Sequence, residues 1–255
     1  MIHVNHQMLS FKEAVELSKF SARSVLLLRH SYRKSLKEGG LDPGLTQEGW
    51  EYARQCGTLL KGMTELSFGA SPRRRTFETV KALMEGGNLG EDAPIVPYGI
   101  LHDTALFSPP ELLGSAIAEN SLIPLLQRYF STGSAPGMIP VPEYASSLAK
   151  FLTETPFAKK NVILGTHDII LIALLSAFKV YPFTQEDWCG YVQGAFLAQD
   201  AKGTWTIYYT VPDIEKGSAA GFSSEIPILP PPKRACCFFG GDFSRLPVPN
   251  LGKIS

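Results

Sequence analysis

Two histidines and a run of arginines stand where they could handle an anion. His30 lies in "SVLLLRHSYRKS", between Arg29 and Arg33 and directly behind an apolar run. His167 follows a second apolar run in "NVILGTHD" and precedes Asp168. A third run, "ELSFGAS", leads into Pro72, Arg73, Arg74 and Arg75. Cations beside an imidazole disfavour its protonated form. The grouping makes sense when the cations await an anion and the histidine is kept neutral. The helix expected to open at Ser71, with Pro72 at its first position, adds free backbone N–H groups and a positive dipole end.

The elements that must position these residues read as strands alternating with helices. "SVLLL", "ELSFGAS" and "NVILG" are continuous apolar runs, as expected for strands covered on both faces. "APIVPYGILHD" carries a further strand, and "GAFLAQDAKGTWTIYYTV" reads as two strands around a turn. Ser10 with Glu13 forms a capping box opening a helix to about Phe20, and Thr46 caps "QEGWEYARQCGTLL". "EYASSLAKFLTET" is amphipathic, while "IILIALLSAF" is apolar all round and belongs in the interior. The alternation predicts an α/β fold, a three-layer α/β/α sandwich with a mostly parallel sheet. Ligands bind at the carboxyl ends of strands in such sheets, and there the two histidines and the arginines gather. The chain reads as a single domain, 1–255. Residues 104–142 form an irregular cap insertion, and 212–255, rich in Gly, Ser and Pro, an extended C-terminal arm.

Four motifs in this order resemble the histidine phosphatase superfamily, the phosphoglycerate mutase-like or histidine acid phosphatase-like group, over roughly residues 24–210. "LLLRHSYR" resembles the Arg-His-Gly motif, with Arg33 placed as in the acid phosphatase form. "LTQEGWEYARQC" resembles the Leu-Thr-x-x-Gly segment. "SPRRRTFET" resembles Ser-Pro-x-x-Arg-x-x-x-Thr, which sets the family arginine on Arg75. "GTHD" resembles the second histidine motif. The chain departs from the pattern at Ser31, where the family has glycine.

The resemblance implies a phosphoglycerate mutase-like fold and a phosphohistidine intermediate on His30. It implies a phosphate pocket of Arg29, Arg33, Arg75 and His167. Arginine forks suit phosphoryl oxygens, and a neutral histidine suits nucleophilic attack. Asp168 is the expected general acid, with Glu111 in reserve and Asp103 behind it. Arg73 and Arg74 are expected as a solvated first helical turn, His102 as structural, and His3 and His6 as incidental. Trp188, Tyr191 and Phe196 are expected in the core. A phosphomonoester hydrolase without metal or organic cofactor is the leading reading. A phosphomutase and a catalytically silent phospho-ligand binding module are the alternatives. Metal hydrolysis is disfavoured because the flanking arginines repel a divalent cation.

Lysine plus arginine and aspartate plus glutamate number 24 each. No global field then favours nucleic acid or an anionic membrane, and the expected partner is a small phosphorylated substrate. Oligomeric state is not readable. Cys56, Cys189, Cys236 and Cys237 show no metal-ligand spacing, and reduced thiols in a cytoplasmic protein are expected. The N-terminus lacks the pattern of a signal peptide.

Overall fold

A seven-stranded sheet carries the residues just described in a computed structural model that describes residues 2–40, 42–90, 92–119, 122–183 and 188–213. In chain order come β1 (Ile2–Ser10), α1 (Phe11–Phe20), β2 (Arg23–Arg29), α2 (Leu36–Gly39), α3 (Gln47–Leu59), β3 (Leu66–Ala70), α4 (Arg74–Gly87) and β4 (Ile95–Pro97). Two 3-10 turns, Gly99–Leu101 and Asp103–Leu106, lead to α5 (Leu112–Ala118), α6 (Leu122–Thr132) and α7 (Val141–Glu154). The described chain ends with β5 (Asn161–Thr166), α8 (Asp168–Ala177), β6 (Gly194–Gln199) and β7 (Trp205–Val211).

The strand order is β1-β7-β6-β2-β5-β3-β4, and β6 alone runs antiparallel to its neighbours. Side chains alternate across β2. Val25 and Leu27 join a cluster with α7 and α8, while Leu26 and Leu28 join one with α1, α3 and α4. That two-sided burial is why the strand reads as an unbroken apolar run. Every residue of β5 is buried, and so is every described residue of α8 from Ile169 to Ala177. The fold is therefore the expected three-layer α/β sandwich with a mostly parallel sheet.

The capping box at Ser10 forms: its hydroxyl accepts from the Glu13 amide, and the Glu13 carboxylate accepts from the Ser10 amide. Thr46 likewise caps α3 through the Gly49 amide. Two features differ from expectation. The N-terminal segment is a strand, β1, parallel to β7, with Leu9 its one buried residue. An edge strand with one open side needs no apolar run, so its sequence carries no burial pattern. Helix α4 begins at Arg74 with Arg73 as N-cap, and Ser71 does not cap it.

Residues 104–142 supply Leu106, Phe107, Leu113, Leu126, Tyr129 and Phe130 to the α7/α8 side of the core. The C-terminal arm expected from residue 212 lies, after Asp213, outside the described residues, as do Cys236 and Cys237. Cys56 and Cys189 are free and buried. Among the described residues no helix is long and apolar enough to cross a membrane.

Candidate active site

Parallel pairing of β2 with β5 sets Arg29 opposite Thr166. The His30 amide continues the ladder by donating to the Thr166 carbonyl at 2.9 Å. The two histidines therefore leave neighbouring strands at one level, their ring centroids 5.5 Å apart. From the next strand, β3, the Ser71 amide donates to Gly165 O at 2.8 Å. The segment after β4 supplies His102 and Asp103. Four adjacent parallel strands thus deliver the site at their carboxyl ends.

Hydrogen bonding sets both imidazole tautomers. His30 Nδ1 lies 2.7 Å from the Ser31 carbonyl, which only accepts, so Nδ1 carries the proton and Nε2 the lone pair. His167 Nδ1 faces Arg75 Nη2 at 3.1 Å and must accept, so its Nε2–H donates to Ser71 Oγ at 2.9 Å. Burial, reinforced by His167, Arg29 and Arg75, pushes His30 well below the usual histidine range. Burial also pushes His167 down to about 3, with Arg75 helping and Asp103 opposing.

The arginines meet two carboxylates. Arg29 Nη2 pairs with Asp168 Oδ2 at 2.8 Å. Arg75 Nη2 pairs with Asp103 Oδ2 at 2.8 Å, and Arg73 Nη2 reaches Asp103 Oδ1 at 3.3 Å. Burial opposes ionisation of Asp103, but His102, His167, Arg75 and Arg73 hold it well below the carboxylate range. Asp168 is also lowered against its burial, by Arg29, Trp188 Nε1–H and the Ile169 amide. The Nε atoms of Arg73 and Arg75 are buried without a hydrogen-bond partner. Buried donors of this kind call for an acceptor. The arrangement can hold a tetrahedral oxyanion against a neutral, buried imidazole.

Of the residues singled out in the sequence, Arg29, His30, Arg75, His167 and Asp168 come together. Arg33 is exposed at the rim, its Nη1 donating to Lys34 O at 3.0 Å, and its charge is felt by Arg75. Glu111 is the exposed N-cap of α5 and makes no side-chain bond to the cluster. Arg74 is solvated and pairs with Glu78, but Arg73 turns into the site, contrary to expectation. Ser71, Asp103, Trp188 and Tyr191 also belong to the site, whereas Phe196 is core. Asp103 was legible only as the acid that follows the fourth strand. Nothing in sequence spacing marked Trp188 or Tyr191. Among the described residues no three His, Cys, Asp or Glu side chains are grouped as metal ligands.

Ser31 is fully buried and spoken for. Its amide donates to Thr79 Oγ1 at 2.9 Å and its hydroxyl to the Gly49 carbonyl at 2.7 Å. A Cβ on Gly49 would lie 2.0 Å from Tyr32 O, so only glycine lets the first turn of α3 press against this loop. Ser31→Gly keeps the carbonyl that orients His30 and loses one buried hydrogen bond. It is expected to lower stability by about 1 kcal/mol, read by denaturant titration, with turnover within about threefold of the parent. A hundredfold gain or loss of activity would show that the hydroxyl acts on the reaction.

The buried histidines also set a pH dependence of stability. Their unfolded value is near 6.5, and the folded value of His167 is about 3. Between these the unfolded chain binds more protons, so stability rises with pH and is complete above about 6.5. Going down to pH 5 is expected to remove about 2 kcal/mol through His167, and His30, also lowered by burial, adds loss in the same direction. Asp103 and Asp168, with lowered values, add loss in the same direction below about pH 4. Thermal denaturation at pH 7 and pH 5 checks the sign; a higher melting temperature at pH 5 would refute it.

The fold is that of the phosphoglycerate mutase-like α/β proteins. Within that class, the model of the histidine phosphatase superfamily (branch 1) matches residues 25–96, the stretch with the Arg-His and Ser-Pro-Arg motifs. The superfamily resemblance read from those motifs is thereby borne out. No curated protein gives a significant match. A mycobacterial glucosyl-3-phosphoglycerate phosphatase solved with inorganic phosphate is 20% identical, with 76% of this chain and 98% of that chain covered and a TM-score of 0.50. A phosphoglycerate mutase from Bacillus anthracis is 13% identical, with 75% and 94% covered and a TM-score of 0.50. YhfR of Bacillus stearothermophilus is 20% identical, with 71% and 93% covered and a TM-score of 0.50. At these identities the likeness is one of fold.

Proposed function

We propose that the protein is a phosphomonoester hydrolase that works through a phosphohistidine on His30. The observation that carries this reading is the His30 imidazole, held neutral with its Nε2 lone pair available, beside Arg29 and Arg75. Nε2 attacks phosphorus, the bond to the leaving oxygen breaks, and a carboxylic acid gives that oxygen its proton. Water then attacks the phosphohistidine, the P–N bond breaks, and the carboxylate takes the water's proton. Arg29, Arg75 and His167, with Arg33 at the rim, hold the phosphoryl oxygens, where charge sits in the transition state. No step draws on a metal or organic cofactor.

Two carboxylates compete for the proton transfer, and their partners support a different order from the motif alone. Asp168, the choice from the His-Asp pair, keeps bonds from Trp188 and its own Ile169 amide whatever the arginine does. Asp103 is held by His102, whose Nδ1 lies 3.0 Å from Oδ1, and by the forks of Arg75 and Arg73. A bound phosphate dianion draws those forks away and adds a like charge, and both effects raise a carboxyl pKa. We therefore assign the general acid to Asp103 and keep Asp168 as the second reading. Glu111, exposed and unconnected to the cluster, drops out.

The substrate is a small phosphorylated molecule. Free Cys56 and Cys189 suit the cytoplasm. The test is turnover of an aryl phosphate with and without chelator, with acid and alkaline trapping of labelled protein. Chelator-resistant release of inorganic phosphate and an acid-labile, base-stable phosphoenzyme are expected. Binding of phosphate without turnover would instead establish the silent binding module.

A further inference from the structure

Resting on the proposed phosphoryl-transfer reading, one segment that neither motif contains surrounds a single arginine. Residues Cys189–Gln193 contact Arg29 by backbone and side chain. Gln193 O accepts from the Arg29 amide at 2.9 Å, and the Val192 amide donates to Arg29 O at 3.2 Å. Cys189 O accepts from Arg29 Nη1 at 2.5 Å. The Tyr191 ring lies under the guanidinium, 4.2 Å from Cζ to centroid. Trp188 reaches the same group through Asp168, since Trp188 Nε1 and Arg29 Nη2 share Asp168 Oδ2.

The segment is built to keep that shape. Gln193 Oε1 accepts from the Gly190 amide at 2.8 Å and from Tyr209 OH at 2.5 Å, closing the loop on itself and on β7. Val192 is buried with φ at +57°, a left-handed conformation that a β-branched residue rarely adopts. Such a residue persists only where its surroundings over-determine it. The turn it makes puts the Tyr191 ring beside Arg29 while residue 193 returns to the β2 ladder. Tyr32 closes over the other side of Tyr191, 4.3 Å between centroids, and His30 stands 6.0 Å from it.

We propose that Cys189–Gln193 is a clamp that fixes the plane of the Arg29 guanidinium beside His30, and that Tyr191 is a positioning residue for phosphoryl transfer. A guanidinium is a planar fork, and its value at a phosphate lies in the orientation of that plane. The ring sets the plane, while Cys189 O and Asp168 set the rotation within it. In this role Tyr191 acts through Arg29.

The test compares Tyr191→Leu, which keeps bulk and removes the π face, with Tyr191→Phe, which keeps the ring. Inorganic phosphate affinity is measured by calorimetry and kcat and KM with an aryl phosphate, folding being checked by circular dichroism. Tyr191→Leu is expected to weaken phosphate binding and kcat/KM by about tenfold, the size of a desolvated cation–π contact, and Tyr191→Phe to recover most of that loss. Folded Tyr191→Leu with parental phosphate affinity and kinetics would overturn the clamp and leave the phosphatase reading intact. Equal loss in both variants would also overturn it, by placing the role in the hydroxyl. A parent protein that neither binds phosphate nor turns over the ester would overturn both readings together.

Discussion

Replacing His30 by alanine is expected to reduce aryl phosphate turnover by about 10⁴-fold or more, the scale on which loss of a nucleophile registers, and to abolish the labelled phosphoenzyme. The expectation rests on geometry. Ser31 O fixes the proton on Nδ1, and burial with Arg29 and Arg75 keeps the ring uncharged. His167 is not in a position to substitute, because its Nδ1 accepts from Arg75 and its Nε2–H is directed at Ser71. The same variant should keep its phosphate affinity within about tenfold, since the arginines remain. Steady-state kinetics, acid-labile trapping and phosphate calorimetry read the three outcomes. Turnover unchanged in His30→Ala would end the phosphohistidine mechanism.

Asp103→Asn and Asp168→Asn are expected to fail in different ways. Loss of a general acid costs about 10²–10⁴-fold, and most where the leaving oxygen is a poor leaving group. Asp103→Asn should therefore slow alkyl phosphates far more than nitrophenyl phosphate. Asp168→Asn removes the charged partner of Arg29 and should weaken phosphate binding with little dependence on the leaving group. A Brønsted plot of kcat/KM against leaving-group pKa separates them. Steepening in Asp168→Asn alone would return the acid to Asp168. Removing either carboxylate also leaves a buried arginine short of a counter-charge, so both variants should melt lower than the parent.

The sheet and the positions of His30, His167 and Arg75 were legible because burial on two faces leaves long apolar runs. Whatever follows such a run must emerge at the sheet's edge. The strand β1 was not legible, since an edge position imposes no pattern on its side chains. Ser71 read as a helix cap because its type and its neighbour Pro72 fit one; its hydroxyl is instead engaged by a histidine 96 residues away, a contact that local spacing does not encode. Arg73 escaped, and Asp103 ranked only as a third candidate acid, for a related reason. Each looks like an ordinary surface charge until the other is placed against it. Tyr191 read as core because an aromatic beside a strand usually is core. Its contact with Arg29 depends on a left-handed Val192, a backbone state that valine's own preferences argue against.

The proposed nucleophile, His30, directly follows the middle strand of seven, β2, with β5 beside it and helices over both faces. Amide groups there are released to solvent only when the whole domain opens. His30, its orienting carbonyl and His167 are therefore expected in the slowest-exchanging part of the described molecule. Fraying of the edge strand β1 leaves them in register. Heat should then extinguish activity in one cooperative step that coincides with global melting, and the His30 amide should be among the last to take up deuterium.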